Sequence, residues 1–141
     1  MSKGGSQRIG DFEVTMTHAL HSNSITDDGQ RIYGGEAAGY VLRLPGGFTL
    51  YHAGDTAVFG DMKIIGELYR PDLACLPIGD LYTMGPREAA YAIKLLGVKH
   101  VVPMHYATFP VLTGTAEALR QETREIARVE IHALEPGEHL D

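Results

Sequence analysis

Hydrophobic and polar residues alternate with the two-residue period of a β-strand near the start of the chain. The alternation covers residues 12–17, and a short run at residues 7–9 precedes it across Gly10 and Asp11. Two such runs separated by a turn-forming pair predict a β-hairpin with one buried side. The apolar side, which we expect to be buried, carries Phe12, Val14 and Met16.

Two more strands are predicted at residues 39–44 and 48–52, on either side of the turn sequence Pro45-Gly46-Gly47. The glycines of this turn can adopt the positive φ angles that tight turns require. Residues 22–35 are mostly Ser, Asn, Asp, Gly and Thr, and this composition predicts a long loop. The first third of the chain is therefore predicted to be β-structure.

The hydrophobic period changes to that of a helix beyond Gly54. Helices are predicted at residues 61–69, 86–96 and 115–127, the second ending at Gly97 and the third capped by Thr115. Short apolar runs between them predict strands at residues 73–78, 100–104 and 129–134. Strands that alternate with amphipathic helices indicate an α/β layer structure with helices covering the sheet.

Composition limits the classes of partner. The 141 residues are 44% apolar and carry a formal net charge of −6, which is typical of one globular domain, and we expect a single domain over residues 1–141. An acidic chain without a Lys/Arg cluster is not expected to bind nucleic acid. Apolar runs such as 73–78 are much shorter than the ~20 residues of a membrane span. A lone cysteine, Cys75, and the absence of a secretory signal at residues 1–7 predict a cytoplasmic location.

Residues of metal-ligand type follow three of the predicted strands. His21 comes after the first hairpin, Asp55 after the strand at 48–52, and His105 after the strand at 100–104. Because strand ends in α/β folds gather at one edge of the sheet, we expect these side chains to converge there. Imidazole and carboxylate together favour zinc or a similar first-row ion.

Each of these residues also has an ordinary structural interpretation. A histidine at a strand end is often a surface side chain, and Gly54-Asp55-Thr56 is also a common turn with a helix cap. The agreement among three clusters favours the metal site. Cys75 lies inside an apolar strand and is interpreted as a core residue rather than a nucleophile. The remaining histidines are interpreted as structural or solvent-facing: His100, His132 and His139.

Four segments of the chain resemble a family of metal-dependent hydrolases within the metallo-β-lactamase superfamily. They occur in the family's order, and the likeness extends from about residue 9 to residue 137, nearly the whole chain. The segments are His18-Ala-Leu-His21-Ser22, Tyr51-His-Ala-Gly-Asp55-Thr56, Leu76-Pro-Ile-Gly79 followed by Tyr82-Thr-Met-Gly-Pro86, and Val102-Pro-Met-His105-Tyr106.

The resemblance implies an α/β fold that is part of the αββα sandwich of that superfamily, a mixed sheet with covering helices. It also implies one or two divalent metal ions, usually zinc, with manganese as an alternative. His21 would bind the first ion, Asp55 would bridge or bind the second and orient the nucleophile, and His105 would bind the second. His18 and His52 would lie next to these ligands.

The family's His-x-His-x-Asp-His motif, which supplies most of its metal ligands, is absent, and the seven histidines include no pair spaced two apart. We therefore expect the chain to correspond to the C-terminal portion of such a hydrolase, incomplete without an N-terminal half. A catalytic zinc site uses three protein ligands, so three residues divided between two ions hold neither well. A single ion held by His21, Asp55 and His105 is the alternative.

A missing half also has a consequence for packing. An αββα sandwich buries one sheet against another, so a chain that lacks one of the sheets exposes a broad apolar face. We expect an N-terminal half, or self-association of this chain, to cover that face.

The resemblance implies that the substrate is a small molecule. Metal-bound hydroxide would attack an ester, lactone, amide or phosphodiester. The alternative, from another class, is a catalytically silent fragment or interaction module with the same fold. A metallo-phosphoesterase of a different class would need an Asn-His pair, which this chain does not contain.

Overall fold

The computed structural model describes residues 1–140, and residue 141 of the predicted domain lies outside the described residues. The described part forms nine strands and three helices. The strands are β1 (Ser6–Ile9), β2 (Phe12–His18), β3 (Ser24–Asp27), β4 (Gln30–Tyr33), β5 (Ala38–Arg43), β6 (Thr49–His52), β7 (Leu73–Pro77), β8 (His100–Met104) and β9 (Glu130–Ile131). The helices are α1 (Met62–Tyr69), α2 (Pro86–Leu96) and α3 (Ala116–Thr123).

Seven of the strands form one mixed sheet in the order β1-β2-β5-β6-β7-β8-β9. The strands from β1 to β6 pair antiparallel, whereas β6, β7, β8 and β9 pair parallel. Since β2 and β6 are each antiparallel to β5, β2 runs in the same direction as β6, β7 and β8. The carboxyl ends of these four strands therefore lie at one side of the sheet, which we call the carboxyl edge.

Local sequence signals set the helix ends. Helix α2 has the predicted bounds, with a proline in its first turn, and Gly97 ends it at φ 66°, a left-handed conformation that glycine adopts readily. The Thr115 hydroxyl caps α3 as predicted by accepting the Ala118 N–H at 3.1 Å. Within residues 1–140, no helix is both long enough and apolar enough to cross a membrane.

Helix α3 ends earlier than predicted, at Thr123 rather than near residue 127. The Thr123 hydroxyl donates to the carbonyl of Leu119 at 2.8 Å and lies 3.3 Å from that of Arg120. A threonine that bonds back to the preceding turn competes with the backbone for the same carbonyls and weakens the helix at that point. The last strand is also shorter than predicted, two residues instead of six.

The segment predicted as a loop at residues 22–35 contains a second hairpin, so that prediction was wrong. Strands β3 and β4 pair antiparallel across Asp28 and Gly29, whose φ angles are 45° and 75°. Two consecutive positive φ angles form the type of tight turn that an Asp-Gly pair favours. The polar composition concealed this turn signal. The hairpin is exposed and separate from the main sheet.

The hydrophobic core lies between one face of the sheet and the helices. Four residues in register form a row across β5 to β8 on this face, and each is at most 3% exposed: Val41, Tyr51, Ala74 and Val101. Helix residues that pack on this row include Met62, Ile65, Ala89, Ile93 and Leu119. The helix layer therefore covers this side of the sheet along its parallel strands.

The opposite side of the sheet, which we call the open face, carries apolar side chains that are only half-buried. Side chains alternate along a strand, so the neighbours of the buried row point away from the helices. They include Leu42 and its cross-strand partner Leu50, and Cys75 and its partner Val102. The sheet thus has one covered side and one apolar side without a covering layer among residues 1–140.

The buried side of β2 is the one opposite to the side predicted to be buried. Thr15 and Thr17 are buried, 4% and 6% exposed, whereas Val14 and Met16 are half-buried on the open face and Phe12 is 44% exposed. The pairing register explains the difference, because Thr15 lies opposite Val41 and shares its side of the sheet. The apolar alternation correctly indicates a strand but not which side the helices cover.

Candidate metal centre

Four loops meet at the carboxyl edge, one after each of β2, β6, β7 and β8. They carry the three predicted ligands, since His21 follows β2, Asp55 follows β6 and His105 follows β8. The fourth loop, after β7, contributes Gly79. Ligand sites of α/β proteins commonly lie at this end of the strands.

Asp55 and His105 face each other across this edge. The His105 Nε2 atom lies 3.7 Å from the Asp55 Oδ2 atom, and the two side chains are 30% and 49% exposed. This distance exceeds a direct hydrogen bond. It is close to the separation of two ligand atoms on one tetrahedral zinc ion, about 3.3 Å for bonds of 2.0–2.1 Å. The pair therefore has the spacing of two ligands to one ion.

Backbone packing, rather than side-chain hydrogen bonds, positions His105. Its Nδ1 atom is buried and has no hydrogen-bond partner among the described residues. Its backbone has φ 54°, an uncommon conformation for a residue with a side chain. A Cβ atom on Gly79 would lie 2.1 Å from the His105 carbonyl oxygen, so only glycine allows the two loops to approach this closely.

His21 presents one ring nitrogen for metal binding. Its Nδ1 atom is hydrogen-bonded to the Ser22 carbonyl. A carbonyl oxygen only accepts, so Nδ1 carries the proton and, in the neutral ring, Nε2 keeps a lone pair. A hydrogen bond of this kind commonly fixes the ring of a ligating histidine. His21 and Asp55 line one cavity of about 470 Å³ beside the β3–β4 hairpin.

Thr56 joins the segments that carry these ligands. It is fully buried, and its hydroxyl accepts the Leu20 N–H at 2.9 Å and donates to the Ala57 carbonyl at 2.7 Å. Its own carbonyl accepts the Met84 N–H at 3.1 Å. One threonine thus holds the segment before His21, the Asp55 turn and the loop that leads into α2.

His18 and His52 make structural contacts next to the site. The His18 Nδ1 atom accepts from the Lys3 ammonium at 3.3 Å, and its ring packs edge to face on Phe59 with centroids 5.1 Å apart. Lys3 also hydrogen-bonds Glu36 at 2.9 Å and lowers the pKa of that carboxyl group. The His52 Nδ1 atom accepts the Gly54 N–H at 3.2 Å, which stabilises the turn before Asp55.

Cys75 lies in the middle of β7 and not at the carboxyl edge. Burial raises the pKa of its thiol, which favours the unreactive protonated form. The thiol is half-buried on the open face rather than packed between the sheet and the helices. Its position and raised pKa agree with the interpretation that it is not a nucleophile.

The three predicted ligands do not form one compact set. Within residues 1–140, the group of three ligand-type side chains whose ligand atoms all lie within 4.8 Å of one another is His100, Glu130 and His132. Asp55 instead contacts His105 on one side and shares a cavity with His21 on the other. The sequence analysis missed the group of His100, Glu130 and His132. A histidine that begins one strand and a Glu-x-His on its parallel neighbour are the pattern that indicates it.

Comparison with known proteins places this chain in a family. Residues 1–106 match the family model described as a beta-lactamase superfamily domain. A metal-dependent hydrolase from Rubrobacter xylanophilus is 58% identical over 142 residues, covering 99% of this chain and 59% of that protein. One from Methanosarcina mazei is 46% identical over 140 residues, covering 99% and 60%. The chain thus spans about three fifths of the length of these relatives.

Solved structures show the same fold. Igni18, described as a novel metallo hydrolase from the hyperthermophilic archaeon Ignicoccus hospitalis, matches with a TM-score of 0.83 and 36% identity over 98% of this chain and 57% of its own. The metallo-β-lactamase fold protein YhfI from Bacillus subtilis matches with a TM-score of 0.68 and 16% identity over 94% of this chain and 50% of its own. Because the family match covers most of its residues, the chain belongs to the metallo-β-lactamase superfamily.

Proposed function

We propose that this chain carries part of the active site of a metal-dependent hydrolase, with Asp55, His105 and His21 as ligands of divalent metal. The observation that carries the proposal is the Asp55–His105 pair, whose ligand atoms face each other at 3.7 Å without a direct hydrogen bond. The available Nε2 atom of His21 supports it, as does the name metal-dependent hydrolase that the relatives bear. Zinc is the metal we propose, because it prefers imidazole and carboxylate ligands.

The ligands are proposed to serve two ions rather than one. His21 would bind the first, and His105 the second, with Asp55 between them. Three residues provide fewer than three protein ligands for each ion, which is the usual number at a catalytic zinc. We therefore propose that further ligands come from the sequence that the longer relatives carry outside the matched part.

The proposed reaction is hydrolysis of an ester, lactone, amide or phosphodiester. Zinc, when bound, lowers the pKa of water to about 7 and so supplies a nucleophile at neutral pH. Asp55 is the proposed catalytic residue, because its half-exposed carboxylate can accept a hydrogen bond from the attacking water and orient it. His105 and His21 would hold the metal, and Thr56 would position the loops.

The open face is proposed to be the docking surface for the remaining part of the enzyme. Its two half-buried cross-strand pairs, Leu42 with Leu50 and Cys75 with Val102, resemble part of one inner side of a two-sheet sandwich. We propose that an N-terminal segment packs on it. Self-association through the same face is the outcome expected for the chain alone.

Zinc titration tests the metal site. Calorimetry is carried out on the wild-type chain and on the D55N and H105A variants, alone and with a supplied N-terminal half. Each substitution removes one ligand of the facing pair, so we expect zinc affinity at this site to fall at least about tenfold, or about 1.4 kcal/mol. D61N is the matched control, because Asp61 is also exposed but makes no side-chain cap hydrogen bond to α1.

Two results would overturn the proposal. One is zinc binding that is identical in the wild-type, D55N and H105A chains. The other is a complex with the N-terminal half that binds zinc at this site but hydrolyses none of the four substrate classes. Stable binding of a partner on the open face without metal uptake would instead favour a catalytically silent interaction module.

A further inference from the structure

A second group of metal-ligand side chains lies on the open face, where β8 and β9 begin. The parallel pairing places Glu130 directly opposite His100, so both side chains lie on the same side of the sheet. His132 is two residues after Glu130 and shares that side, and its N–H donates to the Val101 carbonyl at 2.8 Å. Ile131, between the two, packs against the hydrophobic core instead.

The side chains of this group are already close together. The His100 Nδ1 atom is hydrogen-bonded to the His132 Nε2 atom at 3.1 Å, a bond that a metal ion would replace, and it lies 3.8 Å from a Glu130 carboxylate oxygen. The imidazole rings stack with their centroids 5.4 Å apart and their planes inclined by 25°. All three ligand atoms lie within 4.8 Å of one another.

We propose that His100, Glu130 and His132 form a second, structural zinc site. Two nitrogen ligands of a tetrahedral zinc ion are about 3.3 Å apart, close to the observed nitrogen separation. The Glu130 oxygen must approach by a few tenths of an ångström, which its side chain, 66% exposed, can do by rotation. Two imidazoles and one carboxylate suit zinc, and solvent completes the coordination.

This site is separate from the proposed catalytic metal centre. His100 begins β8, whereas His105 follows the end of the same strand. The strand advances by five residue steps from His100 to His105, so the two positions are about 16 Å apart at ~3.3 Å per residue. No ion contacts both groups at this distance, so one site can be removed while the other is kept.

The expected role of the site is to fix the last strand to the sheet. Strand β9 has only two residues and lies at the edge, where few contacts hold it. A zinc ion bound by His100 and by the segment of Glu130 and His132 would connect it to β8. Arg120 donates to the Ile131 carbonyl at 3.3 Å and lines a depression beside Glu130 and His132. Its charge opposes a cation, so we expect weaker binding than at a closed, all-protein zinc site.

Calorimetry with zinc ions alone tests the site in a chain whose proposed catalytic centre is disabled by D55N and H105A. We expect this double variant to bind one zinc ion and its thermal midpoint to rise with zinc concentration, because the ion binds only the folded state. Adding H132A should weaken binding at least about tenfold and abolish the rise. Adding E130Q should weaken binding, whereas E122Q, which changes an exposed glutamate on α3, should not.

Three results would overturn the proposal: no zinc binding by the double variant, binding that H132A leaves unchanged, or equal effects of E130Q and E122Q. H100A is a second variant for the same test in case H132A does not fold, and far-UV circular dichroism checks both. Because the background lacks Asp55 and His105, failure here says nothing against the proposed hydrolase site. Loss of zinc binding at the carboxyl edge likewise leaves this second site intact.

Discussion

The Leu20 N–H donates to the Thr56 hydroxyl at 2.9 Å, a bond between residues that are 36 positions apart. The return bond runs from the Ala57 N–H to the Leu20 carbonyl, also at 2.9 Å. These bonds connect the segment of His21 to the turn that carries Asp55. One of the two bonds that set the relative position of these proposed metal ligands therefore depends on the buried Thr56 hydroxyl group.

Replacing Thr56 with valine tests this dependence. Valine has a similar shape but cannot accept the Leu20 N–H or donate to the Ala57 carbonyl. A buried donor without a partner costs about 1–3 kcal/mol. We expect the free energy of unfolding, measured in urea, to fall by about that amount and the zinc affinity of the carboxyl edge to fall with it.

The matched variant T56S keeps the hydroxyl and removes the methyl group. It should lose stability of about 1 kcal/mol from the missing methyl, yet keep the zinc affinity, because Leu20 and Ala57 retain their partner. If T56S and T56V weaken zinc binding equally, the hydroxyl does not position the ligands.

Gly79 is expected to be intolerant of any side chain. In G79A the new Cβ would lie 2.1 Å from the His105 carbonyl oxygen, so the loops after β7 and β8 must separate. Overpacking of this kind typically costs about 1–3 kcal/mol. We expect urea unfolding to show a loss in this range and calorimetry to show weaker zinc binding, since His105 moves away from Asp55.

The control for this substitution is G60A. Gly60 has open space where a Cβ would lie, and its φ is not in the left-handed region. The substitution should leave both stability and zinc binding nearly unchanged. A G79A chain that matches G60A in both measurements would show that the close approach of the two loops does not position His105.

The predictable parts of this fold are those that short sequence signals determine. The proline at the start of α2 and Gly97 at its end fix that helix without reference to the rest of the chain. Asp55 follows β6 and His105 follows β8, the two strands that flank β7 and run parallel to it, so strand order places both residues at the same edge of the sheet. The motifs that resemble the hydrolase family indicate which of the strand-end residues are candidate metal ligands.

The features that sequence analysis missed depend on pairing between distant segments. The side of β2 that is buried follows from the register of Thr15 with Val41, which the alternation alone does not contain. The group of His100, Glu130 and His132 exists because β9 pairs with β8, although 30 positions separate His100 from its partner Glu130. The β3–β4 hairpin is different, since its Asp-Gly turn is a local signal within the polar segment at residues 22–35.

Tyr51 predicts a stability change at alkaline pH. It is fully buried, and burial raises the pKa of its hydroxyl to about 12, whereas the nearby Thr17 hydroxyl acts to lower that pKa. Neither hydroxyl has a hydrogen bond of acceptable geometry. The unfolded chain releases this proton near pH 10 and the folded chain near 12. The stability that the neutral tyrosine provides is therefore complete below pH 10 and is lost as the pH rises to 12.

The Y51F variant isolates this effect, because phenylalanine has no proton to release. Relative to Y51F, the wild-type free energy of unfolding should fall by about 1.4 kcal/mol between pH 9 and pH 11. Below pH 9, Y51F should be as stable as wild type or slightly more stable, since the lost hydroxyl had no partner. Urea titrations at several pH values measure both. Parallel wild-type and Y51F curves would contradict the assignment.

The open face predicts self-association of the chain when no partner is supplied. Leu42 and Leu50 lie opposite each other on it, and burying a leucine side chain contributes about 1.5–3 kcal/mol. We expect light scattering to show a dimer or larger species in the wild type. In L42K the association should be at least about tenfold weaker, a loss of about 1.4 kcal/mol or more.

L68K is the control, because Leu68 is 68% exposed on α1, away from the sheet. If L42K and L68K associate alike, the open face is not the contact surface. A supplied N-terminal half should dissociate the wild-type species, since it competes with the second copy of the chain for the same apolar face.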